Sequence, residues 1–271
     1  MQNMIGVKAL LDGARKQNRT ALSEVESRNI LSCCGIPVVE DAVVSTEEQA
    51  VAEALKTGFP VVMKGVGATL THKTERGLVK VNLGSEDAVR RAFHEIKDAA
   101  GEEWEACLVQ PQIEGRREFL AGMFRDPQFG PCILFGLGGV LTEALNDTAL
   151  RIAPLSKSQA CAMIHEIRAV KLLGAFRGEA AVDGDQLIDV LMGLSRLALE
   201  YPDIAEVDIN PLIAKADGGL CAVDALVVLN DGAKHENERA SDVLQIRKSL
   251  DAMANAQSVA VVGRSEERRV G

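Results

Sequence analysis

Aromatic residues make up only 3% of the 271-residue chain, which removes the stacking platforms that single-stranded nucleic acids require. Basic residues are outnumbered as well: 30 Lys and Arg against 39 Asp and Glu give a net charge of −9. That balance argues against a nucleic-acid surface or an anionic membrane as partner. No apolar run approaches the ~18 residues of a membrane-spanning helix, and no basic-then-apolar segment opens the chain. The six cysteines (Cys33, Cys34, Cys107, Cys132, Cys161, Cys221) form no C-x-x-C pair and have no partnering histidines. Free, mostly buried thiols in a reducing compartment, the cytoplasm, are therefore expected. Against these absences stands an apolar content of 47%, ample for sizeable cores in a chain longer than one average domain.

Helix and strand signals alternate along the chain. Ser23-Glu-Val-Glu26 reads as a capping box for a helix that Gly35 ends, and Ser45-Thr-Glu-Glu48 as a second one. Residues 37–44, 59–64 and 78–83 read as strands, and Ser85 caps a helix with Val89, Ala92, Phe93 and Ile96 at helical spacing. Beyond Gly101 the pattern becomes strand-rich, with residues 107–113, 118–124 and 131–137 expected as antiparallel neighbours. Ser156 starts a further capped helix, and Asp183 or Asp185 another. The expected class is α/β (α+β): a helical lead-in at 1–36 and two α/β lobes at 37–105 and 106–229 around a nucleotide-sized cleft. A charged helical linker at 230–257 follows, and then, at 258–271, the opening strand and glycine of an unfinished Rossmann-like domain.

The chemistry concentrates in a hairpin. Lys215-Ala-Asp-Gly-Gly separates two strand-like runs, and Gly218 suits the positive-φ position of a three-residue loop. If Lys215 pairs with Gly219, Val207, Ile209 and Pro211 face Val227, Ala225 and Val223 on a dry side, and Asn210 lies across from Asp224 on the other. Asp208, Asn210 and Asp224 then form an oxygen-rich face suited to Mg²⁺, or else cap a solvated edge. Lys64 closes an apolar strand and opens a glycine-bearing loop, where its ammonium can meet phosphate or simply be solvated. Gly136, Gly138 and Gly139 can bring backbone N–H groups to a phosphate or make a tight turn. Arg151 can clamp phosphate or pair with Asp147. His72, beside Lys73 in the loop after Lys64, lies off any apolar periodicity.

Taken together, the words Gly58-Phe-Pro-Val-Val-Met-Lys64, Thr71-His-Lys-Thr-Glu-Arg-Gly77, Arg125-Asp-Pro-Gln-Phe-Gly-Pro131, Phe135-Gly-Leu-Gly-Gly139, Ala153-Pro-Leu155 and Val207-Asp-Ile-Asn-Pro-Leu212 resemble the ATP-grasp domain of the ADP-forming acyl-CoA synthetases (acetate–CoA ligases). More distantly they resemble the succinyl-CoA synthetase β subunit. The resemblance implies that Lys64 binds ATP or ADP phosphates, Arg151 assists it, Glu118 lines the nucleotide pocket, and Asn210 and Asp224 hold Mg²⁺. It implies that His72 relays phosphoryl to and from a phosphohistidine of the CoA-binding part, and that Gln110 replaces a glutamate at the adenine hinge. It further implies an oligomer in which CoA-binding and ligase domains complete an enzyme acting on a carboxylic acid and CoA, this chain alone being inactive. The competing reading is a degenerate, nucleotide-sensing domain of a fused protein acetyltransferase. Retention of His72, Asn210 and Asp224 argues against it.

Overall fold

The computed structural model describes residues 2–67, 70, 73–139 and 147–230. The sequence readings for 231–271, the linker and the Rossmann-like strand, lie outside the described residues, as does His72. None of the described helices is long and apolar enough to cross a membrane.

Helices begin where side chains satisfy the first free backbone N–H groups. Ser23 and Glu26 close the expected reciprocal box at the start of α2 (Glu24–Cys33), which follows α1 (Gln2–Lys16). At α3 (Glu47–Thr57) the sequence reading is corrected by one residue. Thr46, not Ser45, is the cap: its Oγ1 accepts from the Gln49 N–H, and the Gln49 side chain accepts from the Ser45 N–H. Ser45 directly follows strand β1 (Ala42–Val44), and the chain takes one more extended residue, Thr46, before it turns.

The smaller lobe is a four-stranded antiparallel sheet in the order β1, β4 (Ala106–Pro111), β2 (Val61–Val66), β3 (Val79–Leu83). α3 and α4 (Glu86–Ala100) cover one face, burying Val51, Val61, Met63, Phe93, Ile96 and Val109 together. This moves the expected lobe boundary. β4 does not join the large lobe after residue 105 but sits between β1 and β2, because Cys107 and Val109 complete the small core.

The larger sheet runs β10 (Leu226–Leu229), β8 (Ile204–Ala214), β5 (Arg117–Asp126), β6 (Gly130–Leu137), β7 (Thr148–Ile152), with β9 (Leu220–Ala222) also on β8. Its core gathers Phe119, Met123, Ile133, Phe135 and Ile209 with α5 (Lys157–Glu166) and α6 (Gly184–Glu200), the latter capped by Asp183. Val7, Leu11, Ile30, Leu31 and Ile36 join this core, so the lead-in at 1–36 is part of the large lobe's packing.

The hairpin folds in the expected register. The Lys215 N–H donates to the Gly219 carbonyl at 2.8 Å, and Gly218 takes φ +91°. Ala214 faces Leu220, and Val207 faces Val227. The ladder opens at 223–225, between β9 and β10, so Asp224 sits in a gap of the sheet at the level of Asn210. On the apolar side Val207, Ile209, Ala225 and Val227 are buried, whereas Pro211 and Val223 are half-buried.

Candidate functional site

Strand alternation sorts the small sheet into two faces. Val61, Met63, Cys107 and Val109 point into the helix-covered core. Register pairs Lys64 with Leu108 and Val62 with Gln110, which places all four on the opposite face. Lys64 is 5% exposed, too buried for a lysine without partners. Its Nζ donates to Glu24 Oε1 at 2.6 Å and to the Val223 carbonyl at 3.3 Å, and lies 3.6 Å from Asp224 Oδ2. Lys64 thus reaches the gap in the large lobe's hairpin from the small lobe.

Glu24 is the hub of this contact. Besides Lys64 it accepts from Lys73 at 3.0 Å and from Arg28 at 2.5 Å. Arg28, itself buried, also pairs with Asp41. Burial alone would raise the Glu24 carboxyl, but the charges of Lys64, Lys73 and Arg28 prevail and hold it down at about 2. The reading of the sequence missed Glu24 and Arg28. The only local signal, Glu24 four residues before Arg28 on one helix, is a common surface pattern.

The three expected metal ligands lie along one stretch of the hairpin. Asp208 stands on β8 opposite Gly122 of β5 and Leu226 of β10, Asn210 is exposed two residues on, and Asp224 is half-buried in the gap. The Asp208 carboxyl is pushed up to about 6, by burial first and then by the Glu206 and Asp224 carboxylates. Asp224 is raised too, again chiefly by burial, with Lys64 opposing and Glu24 adding to the rise. Two acids that resist ionising together, with an amide oxygen beside them, are a donor set that a hard divalent cation satisfies. No cluster of three or more His, Cys, Asp or Glu ligands occurs among the described residues.

Gln110 tests whether a nucleotide fits. It is 1% exposed, and among the described residues neither its amide oxygen nor its amide nitrogen has a hydrogen-bond partner. A buried carboxamide with both ends unpaired is costly unless a ligand pairs it. Its donor and acceptor, side by side, match the edge of a purine base. Together with the Lys64 ammonium on the same face, the residues fit a nucleotide.

Other expected site residues are placed differently. Gly138 donates its N–H to the Glu118 carbonyl at 2.9 Å, so that N–H is engaged within the sheet and not offered to a phosphate. A Cβ there would lie 2.5 Å from the Phe119 carbonyl, and one on Gly136 would lie 2.5 Å from that of Asp147, so close backbone packing requires both glycines. Gly139, at φ +73°, lies under the Glu118 carboxylate, 2.4 Å from where a Cβ would stand. Arg151 pairs with Glu166 at 2.5 Å rather than with Asp147, whose carboxylate instead accepts the Arg168 and Ala169 N–H groups. The four-residue spacing that suggested an Arg151–Asp147 pair falls on an extended segment, where such neighbours diverge. β7 is an edge strand three positions from β8, about 14 Å across the sheet. The structure therefore gathers Lys64, Asp224, Asp208 and Asn210 but does not bring Arg151 to them. All six cysteines are free, three of them buried.

Comparison with known proteins identifies the family and the fold. A family model described as an ATP-grasp domain matches residues 13–229. The β subunit of acetate–CoA ligase [ADP-forming] I from Pyrococcus furiosus is 39% identical over 235 residues, covering 84% of this chain and 100% of that subunit. Acetate–CoA ligase [ADP-forming] II from Archaeoglobus fulgidus is 36% identical over 252 residues, covering 92% of this chain but 35% of that longer protein. A crystal structure of dinucleotide-forming acetyl-coenzyme A synthetase 1 from Ca. Korarchaeum cryptofilum, in complex with coenzyme A and Mg-AMPPCP, superposes with a TM-score of 0.73 at 40% identity, covering 83% of this chain and 100% of that one. With two lobes, a buried lysine facing an acidic hairpin, and these relatives, the chain belongs to the ATP-grasp family, among the β subunits and β-like portions of the ADP-forming acetate–CoA ligases.

Proposed function

We propose that the chain binds Mg·ATP or Mg·ADP between its lobes and moves phosphoryl between that nucleotide and an acyl phosphate by way of His72, as the nucleotide-handling portion of an NDP-forming acyl-CoA synthetase. The observation that carries this reading is the pairing, on one face of the small sheet, of a buried lysine with a buried carboxamide that has no partner among the described residues. Lys64 supplies charge to phosphate oxygens, and Gln110 pairs the base edge. Asp208, Asn210 and Asp224 hold Mg²⁺, which when bound neutralises developing phosphate charge. Glu118 and the glycines Gly136, Gly138 and Gly139 shape the pocket floor, and Arg151 serves at its far edge. Neutral imidazole is a competent phosphoryl acceptor near pH 7, which suits the relay assigned to His72. The acyl and CoA chemistry belongs to CoA-binding and ligase domains, acting on a carboxylic acid and CoA in an oligomeric enzyme. Support for a relay comes from the Ca. Korarchaeum cryptofilum protein, described with its phosphohistidine segment pointing towards the nucleotide binding site.

Two variants test the reading. Asp224→Ala is expected to abolish Mg²⁺-dependent nucleotide binding by calorimetry while the protein stays folded. His72→Ala is expected to keep nucleotide affinity and lose phosphoryl exchange with a phosphorylated CoA-binding partner. Unchanged Mg·ADP affinity in folded Asp224→Ala refutes the metal assignment, and wild-type exchange in His72→Ala refutes the relay.

A further inference from the structure

Glu24 is more than a neighbour of Lys64. Its two carboxylate oxygens face cations from three separate segments: Arg28 one turn along α2, Lys64 on β2, and Lys73 in the turn that follows the loop after β2. The Leu78 N–H anchors the Lys73 carbonyl at 2.8 Å, which sets where that side chain starts. α2 packs into the large lobe's core through Ile30 and Leu31, whereas Lys64 belongs to the small sheet. The carboxylate thus spans the two lobes at the point where Lys64 meets the hairpin gap.

The cluster is graded from inside to outside. The side chains of Arg28, Lys64 and Glu24 are 3%, 6% and 9% exposed, whereas Lys73 is 25% and Asp224 47% exposed. An incoming anion therefore meets Lys73 first and Lys64 behind it. Two ammoniums and a guanidinium around a compact group of acceptor oxygens are also the donor set that a phosphoryl group selects. Glu24 supplies two such oxygens and a single negative charge. A polyphosphate supplies more oxygens and more charge at the same place.

From this geometry we propose that Glu24 is a built-in surrogate for a phosphoryl group. It holds Lys64 and Lys73 converged on the phosphate subsite of the nucleotide-free chain, and releases both to the polyphosphate on binding. The exchange makes and breaks only ion pairs: the two ammoniums pass to phosphate oxygens, and Glu24 keeps Arg28, its partner one helical turn away. Lys73, Arg28 and Glu24 are thereby assigned to the phosphate subsite alongside Lys64. The proposal rests on the nucleotide reading given above.

Because Glu24 competes with the ligand, removing its charge is expected to tighten phosphate binding. Isothermal calorimetry of Glu24→Gln on the full chain should show affinity for inorganic tripolyphosphate about 10-fold higher than wild type, in line with the strength of charge-assisted hydrogen bonds. Mg·ADP should gain by a similar factor. Adding Lys73→Met to Glu24→Gln should erase most of the gain, because one of the freed ammoniums is gone. Should Glu24→Gln fail to fold by thermal unfolding, Glu24→Asp keeps the charge on a shorter side chain that cannot reach both lysines, and an intermediate gain is expected. Unchanged or weaker tripolyphosphate affinity in either folded variant overturns the surrogate role while leaving the nucleotide reading in place. Absence of Mg·ADP binding in every form, wild type included, overturns the nucleotide reading itself and the surrogate with it.

Discussion

Asp208 carries two opposite pH dependences at once. Burial, with the Glu206 and Asp224 carboxylates, pushes its carboxyl up from 3.8 to about 6, so the group favours the folded state most at acid pH, and that contribution is lost as pH rises through about 6. Metal binding runs the other way, because only the ionised carboxylate is a good ligand for Mg²⁺. Mg·ADP affinity is therefore expected to fall about 10-fold per pH unit below about pH 6, and Asp208→Asn should flatten that slope. Calorimetry across that range checks it, and an identical slope in wild type and Asp208→Asn would remove Asp208 from the metal site. At this scale the sequence was legible where a residue broke a pattern. Asp208 and Asn210 interrupt an apolar strand, and so does Lys64, which lies within β2 rather than closing it as the sequence suggested, because Gly65 and Val66 go on pairing with β4. Glu24 and Arg28 broke nothing, since a capping box and helical spacing already accounted for that stretch, and Glu24's decisive partners lie 40 and 49 residues away in sequence.

Among the elements, those governed by local geometry were the most legible. A glycine turn fixes the register of β8 against β9, and with it the level of Asp224, from a handful of adjacent residues. β4 was assigned to the wrong sheet because its apolar run fits either neighbour. What decides its place is a pairing with β2 some 45 residues earlier, Val62 with Gln110 and Met63 with Val109, which no local signal carries. The glycine cluster stayed open between two readings for a related reason: a glycine that admits a ligand and one that admits a neighbouring strand look alike in sequence. Its packing role makes a prediction. Gly138→Ala should destabilise the protein by about 1–3 kcal/mol, because the new methyl group meets the rigid Phe119 backbone rather than a movable side chain. Urea unfolding measures this, and a variant as stable as wild type would return Gly138 to the list of ligand-approach positions.

For the molecule as a whole, the decisive question is how much chemistry the two lobes perform alone. The chain matches the full length of the Pyrococcus furiosus β subunit but 35% of the single-chain Archaeoglobus fulgidus enzyme, so the same portion occurs both as a subunit and as part of a longer chain. Within the described residues Lys64, Lys73 and Arg28 converge on Glu24, with Asp224 3.6 Å from Lys64, and the function proposed above gives these cations to phosphate and Asp208 and Asp224 to a metal. Phosphoryl transfer asks chiefly for such positioning and charge neutralisation, whereas thioester formation asks for a bound thiol aligned with an acyl group. The 271-residue chain is therefore expected to bind Mg·ADP yet form no acyl-CoA from a carboxylic acid, ATP and CoA. Addition of a CoA-binding and ligase portion, fused or in trans, should restore synthesis with ADP and phosphate as co-products. Chromatographic product analysis with and without that portion reads both halves of the expectation. Acyl-CoA made by this chain alone would place a thiol site within it, and AMP with pyrophosphate from the completed enzyme would show that the acid is activated by adenylation, with no role left for a phosphohistidine relay.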